Sequence, residues 1–238
     1  MLSSNTLKKL HISKSEINEL PIRRYEGPIY LIRTPEDADA ASTKLDKETL
    51  LGFDTETRPA FRSGESYLPS LLQLATANEV YLFQLKQTGF TEGLRKILAD
   101  QKIIKAGVSI KDDLKELRQI ANFNPAGFVE LADCAKKAKI KNLGLRSMGA
   151  LLLGFRISKK EQVSNWAKQD LTPSQLTYAA TDAWIGRKLY LHLDHLGLIK
   201  KTEDPTSFGE KREHPSNRSL RFHTDHKKPS KLGRARDE

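Results

Sequence analysis

The chain has 238 residues, enough for one sizeable α/β domain with extensions or for two small domains, and enough to bury a real core. Its 40 Lys and Arg outnumber 30 Asp and Glu to give a formal charge of +10, a balance that favours a polyanionic partner such as nucleic acid. A lone cysteine, Cys134, excludes an internal disulfide framework and a Cys-based zinc site; with no long apolar run and no cleavable leader, a soluble cytoplasmic protein without a membrane partner is expected.

Residues 1–27 read as a polar lead-in with a short helix around Ser15–Leu20, and Ile29–Ile32 reads as a strand that opens the folded body. Thr34, Pro35 and Asp37 form a helix start of the capping-box type, opening an amphipathic segment to about Leu45. A strand at Leu50–Glu56 follows. Leu71–Ala75 and Val80–Leu85 are apolar runs separated by the Thr76–Glu79 turn, which predicts a hairpin and, with Leu50–Glu56, three antiparallel strands. Helix and strand then alternate: a helix at about 91–99, a strand Ile103–Val108, a helix at about 111–121, a strand Phe128–Leu131, and helices near 143–153 and 173–195. Such an order implies a mixed sheet flanked by helices. From about residue 199 large apolar residues become rare, and nine Lys and Arg from Lys211 to Arg236 mark a basic tail expected to be disordered.

Three motifs carry chemistry. Asp54 and Glu56 stand two apart at the end of an apolar run, so on a strand both carboxylates share one face. Two such charges need a cation between them, and a divalent ion with oxygen ligands is the obvious candidate. Tyr178 and Asp182 are i and i+4 on a helix whose start is fixed by Thr172, Pro173 and Gln175, so they project from one face; alternatively Tyr178 packs in the core and Asp182 faces water. The stretch Lys105-Ala106-Gly107-Val108-Ser109-Ile110-Lys111-Asp112-Asp113 runs from strand to helix with two acids at the junction. Ser109 and Asp112 have capping-box spacing, which leaves Asp113 as the acid available to a site.

Together these motifs resemble the tyrosine subclass of the DEDD superfamily of 3′–5′ exonucleases, the group that contains ribonuclease D and the exonuclease domain of the Werner-syndrome protein. The order matches: Asp-x-Glu, then Gly-Val-x-Ile-x-x-Asp, then Tyr-x-x-x-Asp. Pro69–Ala75, Leu143-Gly144-Leu145, Ser164-Asn165-Trp166 and Leu171-Thr172 match lesser features, and the related histidine subclass is disfavoured because its His position is Thr177 here. The resemblance covers roughly residues 28–198. It implies an RNase H-like fold with a mixed five- or six-stranded sheet flanked by helices on both faces.

It further implies a metal-dependent exonuclease that shortens RNA or DNA from the 3′ end by a two-metal-ion mechanism, releasing nucleoside 5′-monophosphates from single-stranded or recessed 3′ ends. By resemblance, Asp54, Glu56 and Asp182 ligate one Mg²⁺ or Mn²⁺, Asp54 bridges to a second, and Asp113 holds that one directly or through water. A pair of ions roughly 3.5–4 Å apart can activate water, neutralise the phosphate and stabilise the leaving oxygen. Tyr178, with an ordinary pKa of about 10, is cast as orienting the water. Substrate contacts are expected from Thr55, Thr57, Gln73, Asn165 and Trp166, and more distant phosphates from Arg58, Arg62 and the tail. A catalytically silent nucleic-acid-binding module of the same fold is the rival reading.

Overall fold

The computed structural model describes residues 9–62 and 64–199. The expected basic tail lies outside the described residues, apart from Ile199. In chain order the elements are α1 (Lys14–Glu19), β1 (Ile29–Ile32), α2 (Pro35–Leu45), β2 (Leu50–Thr57), β3 (Pro69–Ala75), β4 (Val80–Gln84), α3 (Leu85–Thr88), α4 (Glu92–Ala99), β5 (Ile104–Gly107), α5 (Ile110–Ile120), β6 (Phe128–Glu130), α6 (Leu131–Lys137), α7 (Leu145–Leu153) and α8 (Pro173–His195).

The six strands form one sheet in the order β1-β4-β3-β2-β5-β6. β2, β3 and β4 make the antiparallel meander expected from the hairpin signal. β1 then pairs parallel with β4, and β5 and β6 continue parallel beyond β2. Alternation along β2 decides which face each residue meets. Leu51 and Phe53 enter a core with Leu45 of α2, Leu94 of α4 and Leu114 of α5, whereas Gly52, Asp54 and Glu56 turn to the face covered by α8. The α8 face carries two further apolar clusters, one joining Leu71 and Leu82 to Ala179 and Ala183, the other joining α6, α7 and the end of α8 through Ala135, Met148 and Leu189. The result is a sheet layered between helices, an RNase H-like arrangement, as the resemblance implied.

Helix starts explain most boundaries. Thr34 accepts from the Asp37 N–H with Pro35 at the first helical position, and Thr172 and Gln175 complete both halves of a capping box at α8. Such a cap is worth about 1 kcal/mol and fixes the register of its helix. The expected Ser109–Asp112 capping box is absent. Ser109 adopts a left-handed conformation with φ 63° and makes no side-chain cap. Instead the Glu130 carboxylate, at the end of β6, accepts from the N–H groups of Ser109 (3.0 Å) and Ile110 (2.9 Å). A remote carboxylate therefore does the work that local spacing assigned to Ser109 and Asp112. α3 and α6, too short to show a helical period, follow directly on the strands β4 and β6.

Candidate active site

Two backbones approach very closely under the acidic pair. A Cβ placed on Gly52 would lie 1.9 Å from the carbonyl oxygen of Ala183, and one on Gly186 would lie 2.9 Å from the carbonyl of Ala106. α8 is thus seated on β2 and β5 with no side chain between, and the residue preceding Ala183 is Asp182. Ligand oxygens of Asp54, Glu56 and Asp182 all lie within 4.8 Å of one another. Period two along β2 supplies the first pair and the α8 register supplies the third.

This cluster has the electrostatics of a cation site. Burial first, and then the charges of Asp182 and Asp113, hold Asp54 well above the usual carboxylate range. Burial followed by the charges of Asp54, Asp182 and Asp113 pushes Glu56 up to about 10. Burial raises Asp182 to about 7, with the Tyr178 hydroxyl opposing the shift. Asp182 Oδ1 is buried and has no hydrogen-bond partner among the described residues. A buried carboxylate oxygen left bare is costly, and a divalent ion coordinated by hard oxygens would satisfy it. The residues present fit such an ion.

Asp113 stands apart from that triangle. It lies one turn into α5, on the other face of the sheet, and its Oδ1 accepts a 2.6 Å hydrogen bond from Thr55 Oγ1. Burial raises its carboxyl to about 6, the Thr55 bond opposing. Its neighbour Asp112 is exposed. Glu130, by holding the start of α5, fixes where Asp113 arrives. Tyr178 sits beside the acids, 5.9 Å ring to ring from Trp166, and burial followed by the Asp182 and Glu56 charges raises its phenol far from ionisation.

The remaining sequence candidates distribute unevenly. Thr55 lines the cleft that opens over the acids, and Thr57 ends β2 where a register shift after Glu56 bends the strand. Gln73 faces the α8 side opposite Asp54 but is fully buried, its amide without a partner among the described residues. Trp166 is a core residue at 1% exposure, while Asn165 is exposed and accepts from the Ala167 N–H. Arg58 lies over the Tyr67 ring at 4.7 Å.

Sequence reasoning missed most of the cleft. Its volume is about 940 Å³, and besides Asp54, Glu56, Tyr178 and Asp182 it is lined by His11, Lys14 and Asn18 near the start of the chain and by Arg146, Lys159 and Gln162. A second hollow of about 480 Å³, lined by Arg23 and Arg24, shares Ile157, Ser158, Tyr178 and Asp182 with the first. No motif marks these residues; only the many Lys and Arg hinted that some would face a polyanion.

An RNase H-like sheet bearing a carboxylate pair at the end of a central strand, paired antiparallel on one side and parallel on the other and closed by a helix that adds a tyrosine and a third acid, defines a recognisable class of domain. A 3′–5′ exonuclease family model matches residues 29–197, and the chain belongs to that family. It is 31% identical over 204 residues to the mouse bifunctional 3′–5′ exonuclease/ATP-dependent helicase WRN, covering 81% of this chain and only 14% of that protein. Among solved structures, the Nibbler EXO domain of Aedes aegypti shares the fold with a TM-score of 0.66 at 22% identity, over 74% of this chain and 91% of that one. So does RNase D of Trypanosoma brucei in complex with RNA U12, with a TM-score of 0.63 at 19% identity over 81% and 66% of the two chains. No described helix is long and apolar enough to cross a membrane.

Proposed function

We propose that this protein is a metal-dependent 3′–5′ exonuclease that hydrolyses phosphodiester bonds at the 3′ end of RNA or DNA and releases nucleoside 5′-monophosphates. The observation that carries the reading is the carboxylate triangle of Asp54, Glu56 and Asp182, with oxygens within 4.8 Å of one another in a cleft open to a polymer. Family membership and the RNA-bound relative support nucleic acid as substrate.

Asp54, Glu56 and Asp182 would hold one Mg²⁺ or Mn²⁺, and Asp54 a second that Asp113 would hold directly or through water. Bound there, the pair would supply a nucleophilic hydroxide and neutralise the scissile phosphate and the leaving 3′-oxygen. Tyr178, kept protonated by its surroundings, orients the attacking water by donating or accepting a hydrogen bond and takes no proton itself. The water oxygen bonds to phosphorus as the P–O3′ bond breaks, the proton shed by the water passes to solvent, the 3′-oxygen takes up a proton from solvent, and the terminal nucleotide leaves as its 5′-monophosphate. Backbone groups at Thr55 and Thr57 would meet the terminal sugar and Asn165, exposed before α8, the strand beyond it, while Gln73 and Trp166 are buried and would bear on the substrate only through their neighbours.

The test is incubation of the full chain with 5′-labelled single-stranded RNA, single-stranded DNA and recessed duplex DNA, with Mg²⁺, Mn²⁺ or chelator, beside Asp182→Asn. A metal-dependent ladder shortening from the 3′ end and abolished in the variant is expected. Binding without any ladder would overturn catalysis and leave a silent nucleic-acid-binding module.

A further inference from the structure

Residues 10–25 lie before the family match at residues 29–197, yet they are tied to the body along their whole length. Lys141 N–H donates to the Leu10 carbonyl at 2.9 Å, and Asn142 clasps Ile12 twice, accepting from its N–H at 2.8 Å and donating to its carbonyl at 3.0 Å. Ser13 and Glu16 form a full capping box at α1, and Ile12 and Ile17 bury themselves against Ala150 of α7. Farther on, Arg156 N–H donates to the Pro21 carbonyl at 3.0 Å, Arg23 N–H returns a bond to Arg156 at 2.9 Å, and Tyr25 N–H donates to Thr181 Oγ1 at 3.0 Å, one residue from Asp182. Ordering sixteen residues costs on the order of 1–2 kcal/mol each in backbone entropy, which these contacts offset.

The charges that the strap turns to the two hollows are all cationic, its acids Glu16 and Glu19 lying outside them. Lys14 lines the larger hollow, Arg23 and Arg24 line the smaller, and the two hollows meet at Tyr178 and Asp182. All three cations are exposed and none is in an ion pair among the described residues. A groove with carboxylates at its middle repels a polyanion unless positive charge flanks it. Lys159 faces the same groove from the loop before α8. Positively charged grooves that follow the backbone are how single strands are held without sequence preference.

We propose that the 10–25 strap is a rail for the phosphodiester backbone of a single-stranded nucleic acid, with Lys14, Arg23 and Arg24 contacting phosphates on the two sides of the acidic centre. This rests on the exonuclease reading for its substrate but not for its test, because binding is read in chelator.

The experiment measures affinity of the full chain for a fluorescein-labelled 12-nucleotide single strand, as RNA and as DNA, across a salt series in EDTA. Lys14→Ala, the pair Arg23→Ala/Arg24→Ala, the triple variant, and Lys102→Ala at the opposite end of β5 are compared. Each lost phosphate contact should lower the slope of log affinity against log salt by about 0.7, so the triple variant loses about 2 and binds at least tenfold more weakly at low salt, with Lys102→Ala unchanged. Melting curves matching the parent show that the fold is kept, and all three side chains are exposed. Unchanged slope and affinity in the triple variant would overturn the rail even where strands are shortened. Equal binding of poly-glutamate, with the same response to the substitutions, would overturn it in favour of an acidic protein partner. A parent that binds but never shortens a strand, with the triple variant impaired, would sink the exonuclease reading and leave the rail standing.

Discussion

Thr55 and Asp113 are joined across the end of the sheet: the hydroxyl on one face of β2 donates a 2.6 Å hydrogen bond to a carboxylate on α5. Thr55 lies between Asp54 and Glu56, so the strand that presents two acids to α8 also grips a third from behind. Thr55→Val should therefore leave the fold within about 1 kcal/mol of the parent, the cost of one hydrogen bond. It should weaken metal binding or activity roughly 10–100-fold, as loss of a partner that orients a ligand does. Manganese titration followed by calorimetry checks the affinity; an unchanged value would detach Asp113 from the metal site.

Burial and mutual repulsion raise the clustered acids, and this sets the sign of the pH effect. Their folded pKa values stand above the unfolded values near 4, about 7 for Asp182 and about 10 for Glu56, so the stability they contribute is present below about pH 4 and is lost as pH rises through those values. A divalent ion needs the ionised forms. The rise in melting temperature caused by 5 mM Mn²⁺ should consequently be larger at pH 8 than at pH 5.5, and absent at both in Asp54→Asn/Asp182→Asn.

On the other face, Lys105 is fully buried, donating to the carbonyls of Ile97 at 3.0 Å and Asp100 at 2.7 Å, and burial pushes its ammonium down to about 7 while Asp100 opposes. A depressed folded pKa gives stability that is full above the unfolded value near 10.4 and is lost as pH falls towards 7. Between pH 7 and 10 this contribution opposes that of Glu56, so in chemical denaturation the stability of Lys105→Met should fall more steeply with pH than that of the parent.

Glu130→Gln should act at a distance. The carboxylate accepts from three backbone N–H groups, those of Ser109, Ile110 and Ala132, and secures the left-handed turn that starts α5. Loss of a charged acceptor costs roughly 1.5–3 kcal/mol. Strand-shortening activity should fall together with α5 protection in hydrogen exchange; loss of activity with α5 protection intact would mean that Glu130 acts otherwise.

Gly52→Ala is the harshest single methyl in the molecule's centre. The added carbon would meet the Ala183 carbonyl at 1.9 Å, a backbone atom that cannot rotate away. Overpacking of this kind costs typically 1–3 kcal/mol and occasionally more, and the displaced α8 carries Asp182 with it. Urea unfolding and metal titration should both be impaired.

Legibility in the sequence followed the range of the interactions. Strands read from apolar runs and helices with complete local caps, such as α8 after Thr172, fell within a residue or two of their places. So did the alignment of Asp54 with Glu56 and of Tyr178 with Asp182, since both depend only on local period. The start of α5 misled because its cap is supplied by Glu130, about twenty residues on, and a left-handed Ser109 carries no sequence signature. The strap was read as a polar lead-in because it buries only Ile12, Ile17 and Tyr25 and turns its cations to the cleft and the hollow beside it. Nothing in its pattern distinguishes a wall of a groove from a solvated end.

The contact between Gly52 and Ala183 makes the spacing of the acids a property of main chain, like the gap between two rails bolted to one sleeper. Side chains around the cleft are then free to diverge, altering what the cleft admits, while the distance between Asp182 and the acidic pair stays the same. Substrate choice and chemistry can drift independently in such a molecule, so long as that one glycine is kept.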